Sequence, residues 1–538
     1  MRKRETSNQV IFLGALSVVL AACSGDDGGS GSGSASASAT GTATATDGTG
    51  STGAGPASAT ATGTSQGSDS ASSGTTTDGT ATQGTATQGT ATQGSATQGT
   101  ATDGTATATA GSDTGTAGTS ASTGATAGSS GGVTPECGNG LLEQGEECDD
   151  GNNIDNDACS NTCTKVPCDQ QMAPDTFDFS YIWISNSPAG TVSKIDTATA
   201  TEVARYVSGP PGKQDPSRTS VSVDGRFAVV VNRNGSISMF AAEEDDCVDK
   251  NNNNQIDTST GPGDVRPWGE DECLIWSVDL PSFSNNQGPR PVSWNVGEQD
   301  PNTCQYAMGD VWVGWYNQGQ NTGYFRLLNG EDGATITEVS VPNWSGMNWG
   351  PYGGAVDGNN NFWVTGWGSN GPVVKIDGQT YQATHYGSAG GWIYGMGLDL
   401  QGNTWASGCG SGNVYRFDAQ NETWSQVASV NASCLRGLQV DREGRAFIAK
   451  NGPCGLAVID TMNLTVISPH VDIPGCSTPV GVSIDAEGYV WVVDQGASRA
   501  FKVDPDTYAV VATVTGLQSP YTYSDMTGAG LNAQILPQ

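Results

Sequence analysis

VSIDAEGYVWVVDQ, residues 482–495, alternates apolar and polar side chains on either side of an Asp-x-x-Gly turn. Period-two alternation around such a turn reads as two antiparallel strands. The unit recurs: Asp485 matches Asp441 in GLQVDREGRAFIAK, Asp399 in GLDLQGNTWASG and Asp357 in GAVDGNNNFWVTG, at intervals of 44, 42 and 42 residues. Each unit then reaches a second Asp that closes a strand, at Asp377, Asp418, Asp460 and Asp504, with Asp196 earlier. Short alternating strands, four to a unit of this length, are the signature of a β-propeller. The second strands centre on Trp183, Ala228, Trp312, Trp363, Trp405, Phe447 and Trp491, which makes seven. The reading is therefore all-β: a seven-bladed β-propeller over 174–538. The first unit starts directly at FSYIWIS and lacks an inner strand. SPYTYSDMTG, residues 519–528, aligns with TPVGVSIDAEG and is expected to supply that strand, so that no sheet edge stays open between first and last blades.

The segments before the propeller follow other rules. Residues 1–22 carry Arg2, Lys3 and Arg4, an apolar run from Val10 to Leu20 and then small residues, the pattern of a signal peptide. Residues 23–135 are Gly, Ser, Thr and Ala-rich, and from Ser24 to Pro135 they include no aromatic residue, Lys or Arg. Such a linker buries no core and reads as a disordered stalk with an end-to-end distance of ~60 Å. Residues 136–169 hold Cys137, Cys148, Cys159, Cys163 and Cys168 among few apolar residues, so this small module needs disulfides to fold. The formal charge of −33 moves to −35 when residues 1–22 are removed, which argues against nucleic acid and anionic polymers as partners. Of 13 cysteines, 12 remain besides Cys23, and an exported chain with that even number is expected to form up to six disulfides.

Three resemblances sharpen this organisation. Leu20-Ala21-Ala22-Cys23 resembles the bacterial lipobox, which implies lipidation of Cys23 and a membrane anchor; Ser24 after it favours the outer membrane. CGNG, GEECDDGN and DACSNTC between Cys137 and Cys168 resemble the Cys-rich repeat of myxobacterial surface proteins, a resemblance that carries no activity with it. The blade pattern, across roughly residues 178 to 530, resembles propellers of the NHL and virginiamycin B lyase type. That superfamily includes lyases, hydrolases and binding scaffolds, so the resemblance speaks to fold.

Propeller topology assigns candidate residues to faces. D-to-A connectors and B-to-C loops share one face, and C-to-D turns lie on the other. Trp344, Trp349 and Tyr352 fall in one connector, Trp392 and Tyr394 in or beside the next, and Trp315 and Trp367 end second strands. Rings clustered there suit sugar rings or an apolar protein loop, although tryptophan at blade junctions also serves packing. Asp494, with Asn186, Asn232, Lys450 and Asn451, is expected to ring the channel mouth. Cys409–Cys434 and Cys454–Cys476 pairs would stiffen this face; Cys434–Cys454 is the alternative. In a C-to-D turn of blade two, Asp249, Asn251, Asn253, Gln255 and Asp257 occupy positions 1, 3, 5, 7 and 9 of an EF-hand-like loop. Asn254 replaces the usual Gly, Thr260 stands where a bidentate acid belongs, and Asp264 is the candidate substitute. A structural Ca²⁺ is the expectation, a solvated Asn-rich loop the alternative. Cys247 and Cys273 bracket this insertion.

A lyase of the virginiamycin B type would be expected to place a His and metal-binding Glu residues at the channel. The two histidines, His385 and His470, fall in outermost strands without a neighbouring Glu. The sequence reads as a lipid-anchored outer-membrane or cell-surface lipoprotein whose propeller binds an extracellular polysaccharide or protein. A divergent lyase or hydrolase on the same face is the first alternative, a structural envelope protein the second.

Overall fold

The computed structural model describes residues 136–535, apart from 154, 156–158, 169–179, 284–286, 302–303, 345–348 and 370. The lipidation candidate Cys23, the signal segment and the stalk lie outside the described residues. From Tyr181 to Val514, six four-stranded antiparallel sheets and one three-stranded sheet follow one another along the chain. These are seven blades, and the three-stranded one is blade one, as its missing inner strand required.

The repeated Asp before each second strand does two jobs. One oxygen accepts the backbone N–H four residues on, from Asn361 (3.0 Å), Asn403 (2.9 Å), Arg445 (2.7 Å) and Tyr489 (2.9 Å), closing the A-to-B turn. The other oxygen of Asp357, Asp399 and Asp485 accepts the indole N–H six residues on, from Trp363 at 2.7 Å and from Trp405 and Trp491 at 2.8 Å. A hydrogen bond to a charged acceptor is worth about 1.5–3 kcal/mol, so the clamp lets a large ring enter the core without stranding its donor. Blade six carries Phe447, which has no such donor, and there Arg445 Nε takes the Asp441 oxygen at 2.6 Å. In blades one and three the indole N–H groups of Trp183 and Trp312 have no hydrogen-bond partner among the described residues. All seven strand centres are 3% exposed or less.

The second Asp of each unit closes the C-to-D hairpin. Asp196, Asp377, Asp418, Asp460 and Asp504 each accept the N–H three residues on at 2.7–2.8 Å. The next residue is left-handed in every case: Ala200, Tyr381, Glu422, Leu464 and Tyr508 have φ of 52–59°.

Closure occurs where the sequence placed it. Tyr521 N–H donates to Ser185 O (2.9 Å), Trp183 N–H donates to Met526 O (3.0 Å), and Pro520 bridges Asn186. The C-terminal segment thus runs as the inner strand of blade one. It continues into a short turn of helix, Ala529–Asn532, which spans the far end of the channel. Asn532 Nδ2 donates to Val223 O of blade two at 2.9 Å, and Gln534 Nε2 to Asp399 O of blade five at 3.0 Å.

The Cys-rich module is stapled by Cys137–Cys163 and Cys148–Cys159, and Cys168–Cys304 ties it to the A-to-B connection of blade three. The other bonds are Cys247–Cys273, Cys409–Cys434 and Cys454–Cys476, so the first pairing anticipated for the connector face is the one present.

Candidate functional site: an indole-rimmed mouth over arginine and tyrosine

The inner strands of blades two, four, five and seven begin at Pro216, Pro351, Ile393 and Pro479. In each, the pairing register slips across the second residue, between Pro216 and Arg218, Pro351 and Gly353, Ile393 and Gly395, and Pro479 and Gly481. A bulge of this kind re-aims the side chain beside it. In blades four and five that side chain is Tyr352 or Tyr394. The bulge in blade six is wider, between Leu435 and Leu438, and contains Arg436. Glycine then allows neighbouring inner strands to crowd together. A Cβ at Gly395 would stand 2.0 Å from Arg436 O, and one at Gly481 1.9 Å from Thr522 O.

Tyr352 and Tyr394 meet Tyr521 and Tyr523 of the C-terminal segment at the channel. The Tyr352 and Tyr394 rings are 5.4 Å apart, Tyr523 lies 5.7 and 5.4 Å from them, and the Tyr521 hydroxyl bonds both of theirs. All four are buried. Arginines interleave with them. Arg218 Cζ is 3.4 Å from the Tyr523 centroid, Arg290 lies 5.5 Å from Tyr352, and Arg436 lies 5.3 Å from Tyr394. Burial pulls the Arg218 pKa below the ordinary guanidinium value, and the charge of Arg290 acts in the same direction.

Above this layer, Trp349, Trp367 and Trp392 form an edge-to-face chain, 4.3 Å and 4.8 Å between successive centroids. All three are half-buried. The other tryptophans singled out on this face are placed differently. Trp315 is 3% exposed and stacks on Tyr324 inside blade three. Trp344 is fully buried between Phe325 and His385. Asp494 is fully buried too, and its oxygens accept the N–H groups of Ser477 (2.6 Å), Thr478 (2.9 Å) and Ala497 (2.8 Å), so it fastens a loop. Arg218, Arg290, Arg436, Tyr521 and Tyr523 were not singled out from the sequence. Aligning the starts of the inner strands would have found Arg218 and Arg436, each the third residue of its strand.

Two features lie on the opposite face. A cavity of about 210 Å³ opens beside Asp441, Glu443, Asp485 and Glu487, but Asp485 is held by Trp491, Asp441 by Arg445 and Glu487 by Lys502. In the blade-two loop, Asn254 takes φ 64°, the left-handed conformation for which glycine is usual at that position. Asp249 accepts the N–H of Asn253 and Asn254, and Asp257 accepts the side-chain amides of Asn251 and Asn253 at 2.8 Å. Those amides hold the half-buried Asp257 below the usual carboxylate range. Asp264 instead bonds Thr260. Glu272 accepts the N–H of Lys250, Asn251 and Asp257, stitching the loop ends together.

Fold and mouth together define a seven-bladed β-propeller with an N-terminal disulfide module. Residues 131–164 match the family model described as Domain of unknown function (DUF4215). No curated protein matches the sequence. Among solved structures, the virginiamycin B lyase from Staphylococcus aureus is 12% identical, with 59% of this chain and 92% of that one covered and a TM-score of 0.39. Apo AztD from Citrobacter koseri is 12% identical over 64% of this chain and 96% of that one, with a TM-score of 0.40. A protein of unknown function from Bacteroides caccae is 11% identical over 54% and 93%, with a TM-score of 0.35.

Proposed function

We propose that this chain is a lipid-anchored protein of the outer membrane or cell surface whose propeller binds an extracellular polysaccharide or protein at the indole-rimmed mouth. The observation that carries this reading is the Trp349–Trp367–Trp392 chain, three large rings left half-buried side by side while the other tryptophans of the same face are packed away. Rings fixed by one another lose little freedom on binding and offer apolar area to a sugar face or a protein loop. Cys168–Cys304 fastens the Cys-rich module to the A-to-B connection of blade three, on the face opposite the mouth, so the module does not cover the three rings. The test is titration of the full chain with envelope and secreted polysaccharides and proteins, read by indole fluorescence. Saturable binding that Trp367→Ala removes supports the proposal; binding indifferent to Trp349→Ala and Trp367→Ala refutes it.

The blade-two loop is proposed to hold a structural Ca²⁺. Asp249, Asn251, Asn253, Asp257 and the Gln255 carbonyl are the hard oxygen donors such an ion takes, and the left-handed Asn254 gives the loop its turn. Rotating the two Asn amides would present oxygen where nitrogen now meets Asp257.

A further inference from the structure

We infer that the mouth recognises a carboxylate-bearing terminal sugar, an acidic glycan end in preference to a neutral one; this rests on the reading of the mouth as a recognition site. The argument starts from Arg218, which is 1% exposed. It donates to Ser217 O and to the Tyr523 hydroxyl, both neutral acceptors, while its Nε has no partner. Among the described residues Arg218 makes no ion pair. Two other buried arginines are ion-paired, Arg205 with Glu202 and Arg233 with Asp215. Burying a guanidinium without a carboxylate is costly, and here a second cation, Arg290, sits close enough to depress its pKa further.

A ligand carboxylate supplies the missing counterion. Its planar pair of oxygens matches the guanidinium fork. Arg290 touches both the rim, 5.6 Å from the Trp349 centroid, and the buried layer, 5.5 Å from Tyr352, so positive charge runs from the indoles inward. Arg436, half-buried, adds a third guanidinium on the blade-six side. The indoles take the sugar faces. Size follows from the overall charge of −33, which repels a long polyanion. At physiological salt that repulsion acts within about 8 Å of the surface, so a short acidic oligosaccharide meets less of it than a long polyanion laid along the protein does.

The experiment titrates the full chain, by indole fluorescence, with trigalacturonate, with the neutral galactose trisaccharide of equal length, and with acetate. The expected result is that trigalacturonate binds at least about tenfold tighter than the neutral trisaccharide and that added salt weakens only the acidic arm. Arg436→Gln should weaken the acidic arm by more than it weakens the neutral arm, narrowing the preference between them. The salt arm needs no variant, so misfolding of Arg436→Gln cannot hide the answer. Equal affinities for the acidic and neutral trisaccharides, both sensitive to Trp367→Ala, overturn the acidic preference and leave the recognition site standing. Acetate binding as tightly as trigalacturonate overturns the sugar. Failure of all three ligands and of the wider panel overturns both the preference and the recognition site.

Discussion

The two faces of this propeller are built by different rules. On the face of the A-to-B and C-to-D turns, two aspartates recur at fixed places in blades four to seven, and each accepts the same turn N–H donor in every one of those blades. On the mouth face the equivalent positions differ: Tyr352, Tyr394, Arg436 and the C-terminal Tyr521 occupy bulges or ends of inner strands that elsewhere hold Ser217 or Val480. Repetition makes the scaffold, and departures from repetition make the candidate site. Mutations on the first face should therefore act on stability, and mutations on the second on binding.

The largest effect belongs to the segment that serves both faces. Truncation before Pro520 removes the inner strand of blade one and the turn that spans the channel, so the truncated protein should aggregate. Gel filtration and thermal melting check this; a soluble, cooperatively melting truncation breaks the closure argument. Next is the clamp. Asp399→Ala strands the Trp405 indole N–H and turn donors in the core and should cost about 3 kcal/mol in denaturant unfolding. Asp377→Ala, on an exposed C-to-D turn, should cost clearly less.

On the mouth face, Trp367→Ala should weaken binding by more than about tenfold while leaving the melting temperature within a degree or two of wild type. A large fall in melting temperature would move Trp367 to the scaffold.

The two sets of aspartates also titrate in opposite senses. Backbone N–H donors hold Asp377, Asp418, Asp460 and Asp504 below the ordinary carboxylate value. Their contribution is present above about pH 4 and is lost as pH falls through the folded values. Burial pushes Asp485 and Asp525 up, and Asp441 up to about 6. Their contribution is present below about pH 4 and is lost as pH rises through the folded values. Melting temperature should thus rise from strong acid to about pH 4, and wild type should lose more stability than Asp441→Asn between there and pH 6. The smallest effect is calcium: saturating Ca²⁺ should raise the melting temperature by a few degrees, and Asp249→Ala should abolish the rise, with Mg²⁺ inert.

Much of this architecture was legible in the sequence because repetition is a sequence property. The spacing of Asp357, Asp399, Asp441 and Asp485 carries the blades, and the unpartnered first unit points to the C-terminal strand. The mouth was legible only in part. Trp349, Trp367 and Trp392 were recognisable as aromatic residues on one face, but nothing in the sequence separates them from Trp344, which lies wholly inside. Which ring stays half-exposed depends on how neighbouring connectors pack. The arginines were missed for a related reason: a single Arg at the start of a strand looks like a surface residue until bulges and crowded glycines turn it onto the axis. Asp494 drew attention as a charge near the channel, yet turn donors in the Cys476–Thr478 and Gly496–Ala497 stretches claim it.

The central claim, that ligand sits on the three-indole chain, is tested most directly by hydroxyl-radical footprinting of the full chain with and without a bound polymer. The account predicts protection of Trp349, Trp367 and Trp392 and none of Trp424, a similarly half-buried ring in the outermost strand of blade five. Protection of Trp424 or of the opposite face, with the three indoles oxidised as before, would contradict it.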